Sequence, residues 1–177
     1  MKTRGRISTK DMTVFAMLGT LMLVSKLLLE WAPNIHLVGM LTVTYTVVYR
    51  VKALIPIYVY VFMLGLYYGF DLWWIPYLYI WTVLWAASML IPANINDKAA
   101  VIVYPIVCAL HGLLFGTLYA PAQAIIFGLD FKGMLSWIAV GFPWDLIHAA
   151  GNFAAGFLIL PCTKLIRKLD HGQTGGQ

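Results

Sequence analysis

The sequence has little charge. Only 11% of its 177 residues are Asp, Glu, Lys or Arg, while 62% are hydrophobic. A soluble domain is usually about a quarter charged, so this composition excludes an ordinary soluble protein and predicts an integral membrane protein in contact with lipid. The net charge is +5, but the basic residues lie at the ends of apolar segments. We therefore predict no nucleic-acid partner.

Cysteine and catalytic motifs are also scarce. Cys108 and Cys162 lie in or at the end of apolar segments, and we interpret them as buried thiols rather than a disulfide or metal pair. The chain has no G-x-S-x-G, H-E-x-x-H or Walker motif. The chain therefore has no ATP-binding machinery of its own, and we predict that it is not an enzyme and has no cofactor.

Long apolar runs, broken by short polar stretches, predict an all-α protein with six transmembrane helices. The first run is too long for the apolar part of a signal peptide, and the second is short for a bilayer that needs roughly 20 residues. Residues 1–168 form one domain and residues 169–177 a flexible cytoplasmic tail. The predicted helices are about 11–31, 36–49, 53–70, 75–91, 99–119 and 135–161.

The distribution of Lys and Arg predicts that both termini are cytoplasmic. With that orientation the outer loops hold only Lys132, and Lys26 is intramembrane. Such a bias is the usual sign of the cytoplasmic side. The inner residues are Lys2, Arg4, Arg6, Lys10, Arg50, Lys52, Lys98, Lys164, Arg167 and Lys168.

Three polar side chains interrupt the last apolar run. Asp145, His148 and Asn152 have the spacing i, i+3, i+7, so on a helix they share one face. Such groups are costly inside a membrane and by default mark a lined cavity or a polar seam between helices. Ligand contact, a seam and a pair of metal ligands all remain open, although no third metal ligand is apparent in the sequence.

Aromatic residues form a second pattern, which begins at the outer end of the predicted fourth helix and continues deeper into it. Trp73 and Trp74 precede Tyr77, Trp81 and Trp85, which are four residues apart. This stripe suits either stacking on a flat ring or packing between helices. We interpret His111, in the middle of the fifth run, as a packing histidine hydrogen-bonded across helices.

The first helix carries two further features. Ala16, Gly19 and Thr20 form a small-residue patch that favours close approach of another helix. Lys26 and Glu30, at i, i+4, are interpreted as a snorkelling pair near the interface, with a gate or a ligand contact as the alternative.

The closing pattern Gly141-x-Pro143-x-Asp145-x2-His148-x2-Gly151-Asn152, with the size and helix count, resembles the substrate-binding S-components of energy-coupling factor (ECF) vitamin transporters. The resemblance implies an S-component-like bundle in a bacterial cytoplasmic membrane. Such a subunit binds a vitamin or cofactor precursor in an outward-facing pocket. It then docks on a transmembrane coupling subunit and topples, driven by two cytoplasmic ATPases. The Ala-x3-Ala docking motif of the family reads Ala16-x3-Thr20 here.

We therefore predict a substrate site and a docking patch, with no catalytic residue and no metal site. Two other classes stay open: a morphogenetic membrane protein resembling MreD, with a filled outer cavity, and a small intramembrane enzyme using Asp145, His148 and His111. The docking patch is Ala16, Gly19 and Thr20. The predicted substrate residues are Asn34, His36, Trp73, Trp74, Tyr77, Trp81, Asp145, His148 and Asn152.

Overall fold

The structure is a computed structural model that describes residues 7–172, and within this range the chain is helical and contains no strand. The predictions for Lys2, Arg4 and Arg6 and for residues 173–177 lie outside the described residues. Short 3-10 helices occupy Arg50–Ala53 and Leu72–Trp74. The α-helices are α1 (Thr9–Leu28), α2 (Val38–Tyr49), α3 (Leu54–Tyr68), α4 (Tyr77–Met89), α5 (Asp97–Leu113), α6 (Phe115–Phe127), α7 (Phe131–Gly156) and α8 (Ile159–Gly172).

The bundle has the character of a membrane protein. By length and composition, three helical stretches are long and apolar enough to cross a bilayer, namely Thr9–Leu28, Val38–Tyr68 and Asp97–Phe127. The second of these contains both α2 and α3, which run in opposite directions, so it is not one straight crossing. The pair Phe131–Gly156 and Ile159–Asp170, bent by 47°, makes a fourth if it is one span. Six separate crossings stay a prediction, because α2, α3 and α4 contain 12, 15 and 13 residues, fewer than the roughly 20 that a bilayer requires.

Helices α2 and α3 reverse direction at the 3-10 turn between them. The Tyr49 ring, at the end of α2, packs on Phe15 with centroids 5.2 Å apart. The Tyr68 hydroxyl, at the end of α3, donates to Glu30. Helix α2 therefore runs back to the start of α1, and α3 returns to its end. Arg50 makes this turn with a φ of 54°, a left-handed conformation that few non-glycine residues adopt.

Basic side chains gather at one end of the bundle, here called the basic end. Arg50 donates to the carbonyl oxygens of Met89, the last residue of α4, and of Ile91, just beyond it. The Lys164 ammonium pairs with Asp97, and the Lys52 ammonium lies 3.7 Å from a carboxylate oxygen of Asp11. Cations at the C-terminal end of a helix interact favourably with its dipole, so Arg50 stabilises the end of α4 as well as carrying charge.

Helix α7 lies against α5 because glycines leave room for its backbone. A Cβ atom on Gly112 would be 2.9 Å from the backbone nitrogen of Ala149, and one on Gly156 would be 2.4 Å from Cα of Pro105. Small residues at such contacts allow helix backbones to approach closely. The two contacts fix α5 and α7 as antiparallel neighbours and set the height of the polar residues on α7.

Several helix bounds differ from those predicted. The fifth helix ends at Leu113, and a separate helix, α6, follows Leu114. Helix α7 begins at Phe131, before the predicted residue 135, because the Asp130 side chain accepts a hydrogen bond from the Gly133 N–H and caps it. The predicted last helix is divided between α7 and α8. Residues 169–172, predicted to belong to a flexible tail, lie in α8.

The two cysteines make no disulfide with each other. Cys108 is buried and Cys162 is half-buried, and both are free thiols.

Candidate functional site

A cavity of about 140 Å³ lies at the end of the bundle opposite the basic end. We call it the main cavity. The connection between α1 and α2 covers it, and α4, α6 and α7 form its walls. Its lining residues are Lys26, Leu29, Glu30, Ala32, Pro33, Asn34, Ile35, His36, Tyr77, Phe115 and His148.

A more open space of about 340 Å³ adjoins the main cavity. We call it the recess. Lys26, Glu30 and Tyr77 line both spaces, so the recess leads towards the main cavity. The remaining residues of the recess are Leu64, Tyr68 and Trp73.

Two imidazole rings meet in the wall of the main cavity. The rings of His36 and His148 lie edge to face with centroids 4.8 Å apart, and His148 contacts the Phe115 ring at 4.9 Å. Nδ1 of His36 and Nε2 of His148 are buried, and neither has a hydrogen-bond partner within residues 7–172. A buried polar atom without a partner costs about 1–3 kcal/mol. A polar solute in the cavity is the kind of partner that these two nitrogens lack.

His36 is held in its neutral form. It lies in the connection between α1 and α2, and burial is the main cause that keeps its pKa well below the usual value. The neighbouring His148, Lys26 and His111 lower the pKa of His36 further. A neutral imidazole has one nitrogen that donates and one that accepts, so His36 offers either role to a solute.

Lys26 and Glu30 both contact the Tyr68 side chain rather than forming an ion pair with each other. The Tyr68 hydroxyl donates to Oε1 of Glu30 at 2.6 Å, and Nζ of Lys26 lies 4.9 Å from the centre of the Tyr68 ring. Neither charge belongs to an ion pair within residues 7–172. Both line the main cavity, which favours the ligand-contact alternative over a simple snorkelling pair.

The predicted aromatic stripe is continuous from Trp73 to Trp81, whereas the Trp85 indole N–H donates to the carbonyl oxygen of Arg50. Successive rings of Trp73, Tyr77 and Trp81 have centroids 5.6 and 6.0 Å apart. Tyr77 lines both spaces and Trp73 lines the recess. Trp81 is buried in the core, and the Trp74 indole N–H donates to the carbonyl oxygen of Val61 at 2.8 Å. The stripe therefore serves both packing and the cavity walls.

The three polar residues of α7 are all buried, but each meets a different neighbour. The carboxylate of Asp145 accepts from the Gly116 N–H, at 3.0 and 3.2 Å to its two oxygens. His148 lines the main cavity. Asn152 fills the space beside Gly39 and Gly112, where added Cβ atoms would be 3.2 and 2.9 Å from its amide. Within residues 7–172 the structure forms no hydrogen bond between Asp145 and His148.

The structure thus brings together four of the nine predicted substrate residues in the main cavity and a fifth in the recess. The four are Asn34, His36, Tyr77 and His148, and the fifth is Trp73. Trp74, Trp81, Asp145 and Asn152 do not line either space. Sequence reasoning did not single out Phe115, whose ring lies four residues after His111 and packs against it.

His111 acts as the sequence predicted. Its Nε2 lies 3.3 Å from the carbonyl oxygen of Ile80, so it is hydrogen-bonded from α5 to α4. No group of three or more His, Cys, Asp or Glu side chains within residues 7–172 is arranged to hold a metal ion.

The small-residue patch on α1 is divided between two environments. Ala16 and Thr20 are exposed, and the Thr20 hydroxyl donates to the carbonyl oxygen of Ala16. Gly19 is buried, because a Cβ there would be 2.6 Å from Cγ1 of Val59. Gly19 therefore packs α1 against α3 within the chain, and only Ala16 and Thr20 are available to a partner.

No protein-family model, curated protein or solved structure matches this chain. The family resemblance therefore rests on the sequence pattern alone.

Proposed function

We propose that the chain is the solute-capture subunit of an ECF-type importer that takes up a vitamin or cofactor precursor. The observation that carries the proposal is the main cavity, which lies at one end of an apolar helical bundle. It is walled by aromatic rings, two imidazoles and two opposite charges that are not paired with each other. Small-molecule sites are typically apolar cavities with a few polar groups that fix orientation.

In this proposal the main cavity holds the part of the solute that carries hydrogen-bonding atoms. His36 and His148 present nitrogens that lack partners. Tyr77 and Phe115 present ring edges and faces to a flat solute. Lys26 and Glu30 stand where the recess meets the main cavity, so a charged substituent of the solute meets one of them on its way in.

The proposed orientation places the basic end in the bacterial cytoplasm and the main cavity on the outside. The positive-inside bias supports it, since Arg50, Lys52, Lys164 and Arg167 lie together at the basic end. Both termini are then cytoplasmic, and solute enters from the outer face.

The proposed partners are a transmembrane coupling subunit and two cytoplasmic ATPases. Ala16 and Thr20 on the exposed surface of α1 offer a flat patch for the coupling subunit, since small side chains allow close helix contact. The solute would be released after the capture subunit topples on this partner, with energy from ATP hydrolysed by the ATPases.

Purification of the tagged chain from its native membrane in mild detergent tests the partners. We expect a membrane protein and ATPases to copurify, and we expect Ala16→Trp to lose them because the larger side chain prevents close contact. Ile102→Trp, at an exposed position of α5, is the matched control and retains them. Copurification that is absent for the wild type, or equal for the two variants, contradicts the docking proposal.

Two observations favour solute capture over the other classes. The morphogenetic alternative expects a filled outer cavity, whereas spaces of about 140 and 340 Å³ lie there. The intramembrane-enzyme alternative expects Asp145 and His148 to act together, whereas Asp145 is hydrogen-bonded to the Gly116 N–H on α6.

A further inference from the structure

A second cavity, of about 360 Å³, lies between α6 and α7. We call it the side cavity. It shares only Asn34 and Phe115 with the main cavity, and it does not include either imidazole. Its distinctive residues are Tyr119, Trp137 and Trp144, which supply aromatic rings, and Asp145, which supplies the only charged group of its lining.

Asp145 has no cationic partner within residues 7–172. Its side chain is 6% exposed, and its only hydrogen-bond donor within residues 7–172 is the Gly116 N–H. The ion pairs of this range are Asp11 with Lys52 and Asp97 with Lys164, so Asp145 belongs to neither. A buried carboxylate is stable when a cation or several donors compensate it. The single backbone N–H of Gly116 supplies only a small part of this compensation.

The aromatic walls of the side cavity are fixed in place. The rings of Tyr119 and Trp137 stack across the α6–α7 contact, with centroids 5.8 Å apart and planes 13° from parallel. The Tyr119 hydroxyl donates to the carbonyl oxygen of Trp73 at 2.8 Å, which anchors the stack to the connection between α3 and α4. Trp144 adds a further indole, half exposed at the opening.

A cavity lined by one carboxylate and several aromatic rings favours one chemical class. Ring faces carry negative electrostatic potential and attract ammonium groups, most strongly those of Trp. A hard metal ion instead requires about six oxygen ligands, whereas this cavity offers one carboxylate and the amide side chains of Asn34 and Gln123. The apolar walls therefore favour an alkylated ammonium ion over a bare inorganic cation.

We propose that the side cavity binds an organic ammonium ion, with Asp145 as its counter-ion and Trp137, Tyr119 and Trp144 as its aromatic walls. The proposal is independent of solute capture in the main cavity, because it uses neither His36 nor His148. The ammonium group lies near the Asp145 carboxylate, and its alkyl groups contact the rings.

Choline and its neutral carbon isostere, 3,3-dimethyl-1-butanol, test the proposal on the purified full chain in detergent. The two probes have nearly the same shape and differ in charge. We expect choline chloride to raise the midpoint of thermal unfolding, with no comparable rise from the alcohol or from NaCl at equal ionic strength. Equal shifts from choline and the alcohol, equal shifts from choline and NaCl, or no shift from choline overturn the proposal.

Variants locate the site. Asp145→Asn keeps an oxygen that accepts from the Gly116 N–H, and we expect it to weaken choline binding at least tenfold. Trp137→Leu, which leaves the carboxylate intact, weakens binding about threefold to tenfold, while Trp31→Leu, at an exposed Trp outside the cavities, does not change it. If Asp145→Asn fails to fold, the choline affinities of Trp137→Leu and Trp31→Leu still test the proposal. Equal choline affinities of these two variants overturn it.

His148→Phe separates this proposal from the proposed function. His148 does not line the side cavity, so we expect this variant to bind choline as the wild type does. Loss of choline binding in His148→Phe would place the ammonium ion in the main cavity and overturn the assignment to the side cavity. If choline binds normally but no solute is found in the main cavity, only the proposal of solute capture is contradicted.

Discussion

At the scale of single residues, Gly116 decides how the carboxylate of Asp145 meets α6. A Cβ atom at position 116 would lie 2.4 Å from Oδ2 of Asp145, closer than real atoms approach. The backbone N–H of this glycine is also the only donor to that carboxylate in the described part of the chain, residues 7–172. Both the missing side chain and the N–H are therefore needed at this position.

Gly116→Ala is expected to destabilise the protein. The methyl group must displace the Asp145 carboxylate from its hydrogen bond, and such overpacking costs about 1–3 kcal/mol. The measurement is the midpoint of thermal unfolding in detergent. Gly141→Ala is the control, because a Cβ at position 141 of α7 meets no atom of residues 7–172 within 4 Å, and Ala in a helix is more favourable than Gly by roughly 0.5–1 kcal/mol. Equal effects of the two substitutions would contradict the close contact.

His36 makes stability depend on pH. Burial, with the nearby His148 and Lys26, holds its pKa well below the usual value, so the folded chain keeps the imidazole neutral. An unfolded histidine binds a proton below about pH 6.5. The unfolded state therefore binds more protons as the pH falls through this value, and stability that is complete above it is progressively lost below it.

We expect the thermal midpoint to fall between pH 7 and pH 5, and the fall to be smaller in His36→Asn. The asparagine side chain stays uncharged over this range, so that variant has lost one source of the pH dependence. Thermal unfolding at each pH, with the wild type and the variant in the same detergent, is the measurement. An identical pH profile for the two proteins would show that His36 is not held neutral.

The polar face of α7 shows what could be predicted at this scale. The spacing of Asp145, His148 and Asn152 indicated burial on one face, and all three are buried. Positions 145 and 152 are seven residues apart, however, which is about 10 Å along a helix axis. Which residues contact Asp145, His148 and Asn152 depends on how α5 and α6 are aligned along α7. The periodicity of the sequence does not specify this alignment.

At the scale of elements, Arg167 joins α8 to the rest of the bundle. Its guanidinium donates to the carbonyl oxygens of Val47 at 3.3 Å and Ala93 at 2.8 Å. These acceptors lie in α2 and in the connection from α4 to α5. One side chain on α8 therefore bridges two separate parts of the chain.

Arg167→Gln is expected to lower the free energy of unfolding by about 1.5 kcal/mol, the low end for hydrogen bonds to a charged group, because Arg167 is half-buried. The glutamine cannot reach both carbonyl oxygens. Lys168→Gln removes the same charge at an exposed neighbouring position and is expected to have little effect. Unfolding by heat in detergent measures both, and a similar loss in the two variants would assign the effect to net charge.

The existence of most helices could be predicted from apolar runs, but their ends depend on single residues. Asp130 caps α7 through the Gly133 N–H, a start signal that the predicted helix start at residue 135 overlooked. Pro161 lies in the first turn of α8, where proline is tolerated because the first N–H groups have no helical partner. The break after Gly156 depends on single residues in the same way, and a hydropathy profile does not record such effects.

At the scale of the whole molecule, composition predicts an all-helical membrane protein, and the described chain has this character. The main cavity could not be predicted in the same way. It forms because the connection between α1 and α2 folds over α4, α6 and α7, and it includes Phe115, which no sequence motif marks. The cavity is a product of tertiary packing between segments distant in sequence.

The most direct test of solute capture is native mass spectrometry of the full chain, purified in mild detergent from cells grown in rich medium. We predict a bound molecule of vitamin-like mass at one per chain. His148→Phe keeps the aromatic contacts of the cavity wall but removes its nitrogens, so its bound fraction falls. Phe153→Leu, exposed on the same helix, is the control and retains the adduct. If the wild-type chain shows no bound molecule even after incubation with a mixture of vitamins and their precursors, the proposal of solute capture is contradicted.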